Sequence, residues 1–394
     1  MSKIRTLPMT NNSSPYLPQL TWLRGIAALL VIVSHTVRST EESYGVGDIP
    51  SDAFLLKALD LGAFGVALFF ALSGATLYIS HCNDNVKTQF LPFAAKRTLR
   101  IFPAYIVSMI VFILATPVFS ALYTEPRGLW IEYFYKPYTL TDIFQHLTMV
   151  HDLIGNPYSI NPVYWTLSVE FRYYLMFPLA LLALQINKPI YVILLSAAIT
   201  SMVLLPGFNP SIPHAFWLTS SFFGGILVAY FCRNSNSAGR YKALWLMPIF
   251  AAASFVMWSR NDLPDIPTLR IIHTYNVALC IAAIYITLTS DFSFMPIAAK
   301  TILSFLGKIS YSIYLYHLLA LTVLFFAAMK LQLHGNTKAY FVLVMTCIFT
   351  IPIAYLSYRL TEKPFIDYSK GIGRKRKQSP TQDKITDDNL KPSV

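Results

Sequence analysis

Arg24 and His35 stand eleven residues apart in one apolar stretch, LTWLRGIAALLVIVSHTV. At about 100° per residue, eleven steps make roughly three turns plus 20°, so both side chains leave one helix face, about 16 Å apart along the axis. Ionisable groups inside a membrane segment are costly, and two of them on one face mark a functional site. Arginine is a fixed cation whose fork suits phosphate oxygens. Imidazole is the side chain best tuned to take a proton near neutral pH.

Other ionisable residues fall in apolar stretches: Asp60, Glu170, Arg172, Lys308, His317 and Glu362. The elements that must position them are helices. Ten segments approach the ~20 apolar residues that cross a bilayer. They run over about 20–37, 58–80, 98–118, 163–185, 189–206, 214–232, 242–258, 273–290, 302–329 and 339–358. The expected fold is therefore all-α, a polytopic integral membrane protein of about ten transmembrane helices. Lysine and arginine favour the segments that are cytoplasmic if the N-terminus is inside, and ten crossings then leave both termini cytoplasmic. The first segment reads as an uncleaved helix despite Lys3 and Arg5 before it, since Arg24 interrupts it and no small-residue cleavage site is evident.

That orientation sorts the groups by depth. Arg24, Arg172, Lys308 and Glu362 lie toward the inner side, with Arg97 and Arg100, an i, i+3 pair, at the inner rim. His35 and Glu170 lie in the outer half and His317 near the middle. Such an order suits an anionic cytosolic donor reaching outward to a hydroxyl acceptor that an imidazole activates. Glu170 would orient the imidazole, bind sugar hydroxyls, or simply pair with Arg172 or a neighbouring helix. Glu362 is expected to end the last helix and pair with an inner-rim cation. Asp60 and Lys57 are expected to snorkel at the outer surface.

Composition agrees with a membrane protein. Hydrophobic residues are 55% and charged residues 13%, against about 25% charged in soluble domains; mean hydropathy is +0.50. The net charge of +12 and the Arg374–Lys377 cluster point to anionic lipid headgroups rather than nucleic acid. Cys82, Cys232, Cys280 and Cys347 show no CxxC spacing, and no HExxH or His/Cys cluster suggests a metal. Ser73, in ALSGAT, lacks a GxSxG context; with Gly74 it reads as a small-residue helix contact. The longest external stretch, 119–162, carries Trp130, Tyr133, Phe134, Tyr135 and Tyr138. Within it, TLTDIFQHLTMV predicts a short amphipathic helix starting near Thr141 or Asp142, with Ile143, Leu147 and Val150 on its apolar side. It would lie on the membrane or form a lid over an external acceptor site. His146 and His151 read as surface residues.

Several stretches, in order, resemble the membrane acyltransferase-3 family. Arg24-x10-His35 is similar to its first-helix signature, and GVALFFALSG (Gly65–Gly74) to its second-helix motif. RTLR (Arg97–Arg100), followed by Ile101, Pro103 and Tyr105, resembles its basic element. WTLSVE (Trp165–Glu170), continuing through Tyr173, Tyr174 and Pro178, resembles WSLSxE. GKISYSIYLYH (Gly307–His317) resembles the late SYxxYLxH motif, and Glu362-Lys-Pro364 fits near the end. Ala67 and Thr166 depart from the family's usual Asp and Ser.

The resemblance implies an O-acyltransferase, usually of acetyl groups, acting on extracytoplasmic carbohydrates such as lipopolysaccharide O-antigen or an exopolysaccharide. Acetyl-CoA or another acyl-CoA would be the donor substrate, with no permanently bound cofactor. Arg24, Arg97 and Arg100 would contact the donor. His35 would be catalytic base or transient acyl carrier, and Glu170 and His317 would be further catalytic residues. The expected plan is a cytoplasmic segment at 1–19, the transmembrane domain at 20–368 and a basic, disordered cytoplasmic tail at 369–394, a stand-alone form without a soluble domain, in a bacterial cytoplasmic membrane. Two other readings remain: a transporter or flippase of a lipid-linked sugar, and a non-catalytic scaffold or sensor.

Overall fold

The computed structural model describes residues 17–41, 60–122, 138–201, 213–234, 241–242, 246–259 and 266–372. They are almost entirely helical. Helix α1 spans Pro18–Glu41, α2 Gly62–His81, α3 Val86–Leu122, α4 Leu140–Leu147, α5 His151–Ile154, α6 Trp165–Gln185 and α7 Pro189–Ser201. They are followed by α8 Pro213–Asn234, α9 Leu246–Ser259, α10 Ile266–Thr289, α11 Ile297–Lys308, α12 Ser310–Lys330 and α13 Gly335–Ser357. A π turn at Tyr358–Glu362 leads into α14, Lys363–Ser369. The single departure from an all-helical plan among the described residues is a two-residue parallel pairing of Tyr241–Lys242 with Ser290–Asp291.

Each of the ten apolar segments meets a helix. Among the described residues, six helical stretches are long and apolar enough to cross a membrane: Pro18–Ser39, Gly62–His81, Gln89–Ala121, Trp165–Gln185, Ser310–Lys330 and Gly335–Ser369. Their exposed sides are apolar too, as Leu114, Leu179, Val323 and Ile348 illustrate. An outward apolar face on helices that also bury one is what lipid as a solvent permits. The protein is an integral membrane protein.

Three elements differ from expectation. The 302–329 segment is two helices, broken at Ile309. The break lies beside Gly307, where a Cβ would come 1.9 Å from the Thr21 carbonyl oxygen of α1. Close backbone contact there sets the chain's path more strongly than continuous hydropathy does. Helix α3, at 37 residues, is about 55 Å long; it begins well before 98 and carries Arg97 and Arg100 inside it. Glu362 does not end the last helix. Pro364 removes a backbone donor and crowds the preceding turn, and the chain widens into the π turn and continues.

Helix α1 lies centrally, against α2, α11, α12 and α13, and α2 packs most extensively on α8. At the α2–α8 crossing a Cβ on Gly74 would meet the Phe222 carbonyl oxygen at 2.0 Å, and one on Gly225 the Ala71 carbonyl oxygen at 2.0 Å. Glycine is therefore required on both helices. Helix α4 starts near Thr141 as expected, at Leu140, behind a capping box in which Thr139 and Asp142 bond reciprocally. Its Leu140, Phe144 and Leu147 are exposed, an apolar stripe that suits the membrane interface. The readings placed on Lys57, Trp130, Tyr133, Phe134, Tyr135 and the 374–377 cluster lie outside the described residues.

Candidate active site

Two cavities lie along the bundle. The first, partly open, spans about 610 Å³ with its mouth included and is lined by Arg24 of α1, Ser73 of α2, Arg100 of α3 and Glu170 of α6, with Tyr174, Tyr311 and Tyr314. Arg24 Nη2 donates to Ser73 Oγ at 3.1 Å. Ser73 Oγ donates to Glu170 Oε1 at 2.9 Å, and the Tyr174 hydroxyl donates to the same oxygen. Glu170 is the only acidic group on this lining. Arg97 stands behind it, its guanidinium 5.4 Å from the Phe93 ring and 5.6 Å from the Tyr174 ring, with Nη2 3.1 Å from His81 Nε2. The Nε atoms of Arg24 and Arg97 are buried with no hydrogen-bond partner among the described residues. Unsatisfied buried donors and a surplus of positive charge are costly without an anion. The donor set on this lining, Arg24 and Arg100, is of a kind that suits an anion.

The second cavity, also partly open, spans about 930 Å³ with its mouth included and is lined by Ser34, His35 and Arg38 of α1, with Tyr158, Trp165, Ser221 and Asn276. His35 Nδ1 lies 2.7 Å from His317 Nε2. The rings are nearly coplanar, 14° apart with centroids at 5.0 Å, as two rings meeting edge to edge. His317 Nδ1 lies 2.8 Å from the Tyr314 carbonyl oxygen and 3.1 Å from that of Ile313. A carbonyl only accepts, so Nδ1 of His317 carries the proton. In the neutral ring Nε2 then accepts, and Nδ1 of His35 donates to it. That leaves the lone pair of His35 on Nε2, the nitrogen able to take a proton or an acyl group. His317 lies behind His35, off the cavity wall, as its orienting partner.

The structure thus joins Arg24, Glu170 and Arg100 in one cavity, with Arg97 supporting its wall, and His35 with His317 at the other. Glu170 neither orients the imidazole nor pairs with Arg172. Residues two apart on a helix do not face each other; Arg172 turns instead to Asp152. Ser73 is more than a small-residue contact, since its hydroxyl bridges Arg24 and Glu170. Lys308 is exposed, and Glu362 is buried and accepts from Ser312 rather than from an inner-rim cation. Asp60 does not snorkel: it is 4% exposed, accepts from Ser34 and pairs with Arg38 at 3.0 Å. Ser34 and Arg38 were open to detection, being four residues apart and flanking His35.

His146 and His151 are not surface residues; both are 0% exposed. Their rings stack 3.7 Å apart under α4 and α5. His146 Nδ1 lies 2.9 Å from the Tyr105 hydroxyl and Nε2 2.9 Å from Ser159 Oγ. Burial, with His151 alongside, pushes His146 down to about 2; burial pushes His151 down to about 4. An unfolded histidine binds its proton near 6.5. Between about pH 6.5 and 4 the opened segment binds more protons than the closed one, so its stability falls as pH falls through that window and is level above it. Hydrogen exchange over 140–160 is expected to quicken from pH 7.5 to pH 5, after correction for intrinsic rates. Unchanged protection would contradict neutral burial.

Comparison with known proteins matches this architecture. The family model described as an acyltransferase domain covers residues 17–359. A putative acetyltransferase of Acidianus two-tailed virus is 27% identical over 80% of this chain and 87% of its own. Nodulation protein 10 of Rhizobium leguminosarum bv. viciae is 24% identical over 91% of this chain and 95% of its own. The peptidoglycan O-acetyltransferase OatA of Listeria monocytogenes is 27% identical over 92% of this chain but 58% of its own. No solved structure matches the chain. With the family model spanning both cavities and every helix that lines them, the chain belongs to the acyltransferase-3 family and is a membrane-embedded acyltransferase.

Proposed function

We propose that the protein is an O-acyltransferase, most simply an O-acetyltransferase. It would move an acyl group from cytosolic acyl-CoA to a hydroxyl of an extracytoplasmic carbohydrate such as O-antigen or exopolysaccharide. Ten crossings of a bacterial cytoplasmic membrane, with both termini inside, put the arginine cavity toward the cytosol and the histidine cavity outward. The peptidoglycan acceptor named for the Listeria relative supports a glycan acceptor.

The observation that carries this reading is the relay from the Tyr314 carbonyl through His317 to His35. It readies His35 Nε2 at a cavity with polar and aromatic walls. There the acceptor O–H gives its proton to Nε2 while its oxygen bonds to the thioester carbonyl carbon. The C–S bond then breaks, and the proton passes to the departing thiolate sulfur. The half-buried Arg24 and Arg100 hold the donor's phosphates or carbonyl oxygens. Trp165 and Tyr158, with Arg38, Ser221 and Asn276, give this cavity the mixed aromatic and polar lining that suits a sugar.

The test compares envelope glycans from a strain lacking the gene with those from the same strain carrying it. NMR scores the acyl esters that mild base removes. Esters that appear only with the gene are the expected result and identify the sugar. No difference would overturn the glycan acceptor.

A further inference from the structure

Two cavities pose a problem of passage. The anion-binding groups line one and His35 lines the other, yet transfer joins the donor's carbonyl carbon to an oxygen held at His35. Among the described residues, only two side chains line both cavities, Val66 of α2 and Tyr314 of α12. We propose that Tyr314, with Val66, is the partition between donor and acceptor cavities and gauges the length of the acyl group that crosses. This rests on the acyl-transfer reading above and adds which donors it admits.

Tyr314 is built as a wall. It is 7% exposed. Its hydroxyl lies 2.7 Å from Thr166 Oγ1 and 3.2 Å from the Val163 carbonyl oxygen, which pins the ring to the start of α6. Phe69 meets the ring edge-on at 6.1 Å, and the His317 ring lies 5.8 Å away. The two sides of the wall share the residues that lead into and begin α6, with Val163 and Trp165 lining the histidine cavity and Thr166 and Glu170 the arginine cavity. Tyr314 also supplies the carbonyl that sets the His317 tautomer. Its backbone thus orients the relay while its ring closes the passage.

The gauge follows from where bonds change. The carbonyl carbon must reach the acceptor oxygen while the arginines hold the rest of the donor. On its way there the acyl group passes Tyr314 and Val66, which border both cavities. A methyl needs little room there. Each further methylene must displace a pinned aromatic ring in a packed interior, where added volume costs energy. Refusal of one methylene is worth about tenfold or more in rate. Short acyl groups cross and longer ones are turned back.

The test uses inside-out membrane vesicles from the complemented deletion strain, which bring their own acceptor. They receive acetyl-, butyryl- or hexanoyl-CoA labelled in the acyl group, and base-labile label in the glycan fraction is counted. Wild type is expected to prefer acetyl over hexanoyl by about 100-fold or more. Tyr314→Leu is expected to narrow that ratio at least about tenfold, whereas Tyr314→Phe, which keeps the ring, leaves it nearly unchanged. An unaltered ratio in an active Tyr314→Leu overturns the gauge. Should Tyr314→Leu be inactive, Val66→Ala decides: a narrowed ratio upholds the partition and an unchanged one overturns it. No label from any acyl-CoA in wild-type vesicles overturns the acyl-transfer reading, and the gauge with it. Normal acetyl transfer without the Tyr314 or Val66 effect overturns the gauge alone.

Discussion

Replacing His35 by alanine is expected to lower acyl transfer by about 10²–10⁴-fold, the usual worth of a positioned general base, with the protein still inserted and folded. His35 is half-buried on a cavity wall, so truncation leaves space rather than a buried charge. The loss should appear in kcat, with KM for acyl-CoA little changed, because the arginines proposed to hold the donor lie in the other cavity. His317 acts through His35 and is a positioning residue. His317→Leu removes the acceptor for His35 Nδ1–H, and its effect should be large but smaller. His317→Gln keeps an acceptor and should recover part of the rate. The His35→Ala/His317→Leu double variant should be no slower than His35→Ala alone, since the two residues act as a unit. Additive losses would mean that His317 serves some other step. The measurement is single-turnover ester formation in vesicles.

Arg24→Ala should show the opposite signature. A hydrogen bond to a charged group is worth about 1.5–3 kcal/mol, so KM for acyl-CoA is expected to rise about ten- to a hundredfold with a smaller change in kcat. Arg24 also donates to Ser73, which donates to Glu170. Its loss therefore loosens the carboxylate that balances the cavity. Arg24→Lys keeps the charge but not the fork and should recover only part of the affinity. Arg100→Ala should act as Arg24→Ala does, because both residues line the cavity. Arg97→Ala should act more weakly, through the ring of Tyr174 against which it stacks. Titration of each variant with acyl-CoA checks the ranking. A normal KM in Arg24→Ala would remove the donor from this cavity.

The two variant sets separate because the site itself is divided, and that division is where sequence reading stops. Arg24 and His35 were legible as a pair because they share one helix face, a fact of local geometry. Their assignment to different cavities was not, because Glu170, Ser73 and Tyr314 reach them from helices remote in sequence. Glu170 illustrates the limit. Its depth in the membrane suggested a partner for His35, but its direction around α6 turns it to Ser73. Asp60 and the two outer histidines show the same limit from the other side. They lie near or between helices whose ends look solvent-facing in sequence, and only the neighbouring segments bury them.

The chain by itself determined the helical class, the ten apolar segments, the family and the residue types that could do chemistry. Those follow from runs of hydropathy and from motifs, which are properties of neighbours along the chain. Tertiary structure alone decided which polar groups meet: Ser73 with Glu170, Arg38 with Asp60, His35 with His317, and Tyr314 across the passage. Between apolar helices in lipid, hydropathy supplies little preference for one face over another. Close glycine contacts and buried hydrogen bonds choose the faces instead, and both depend on residues far apart in sequence.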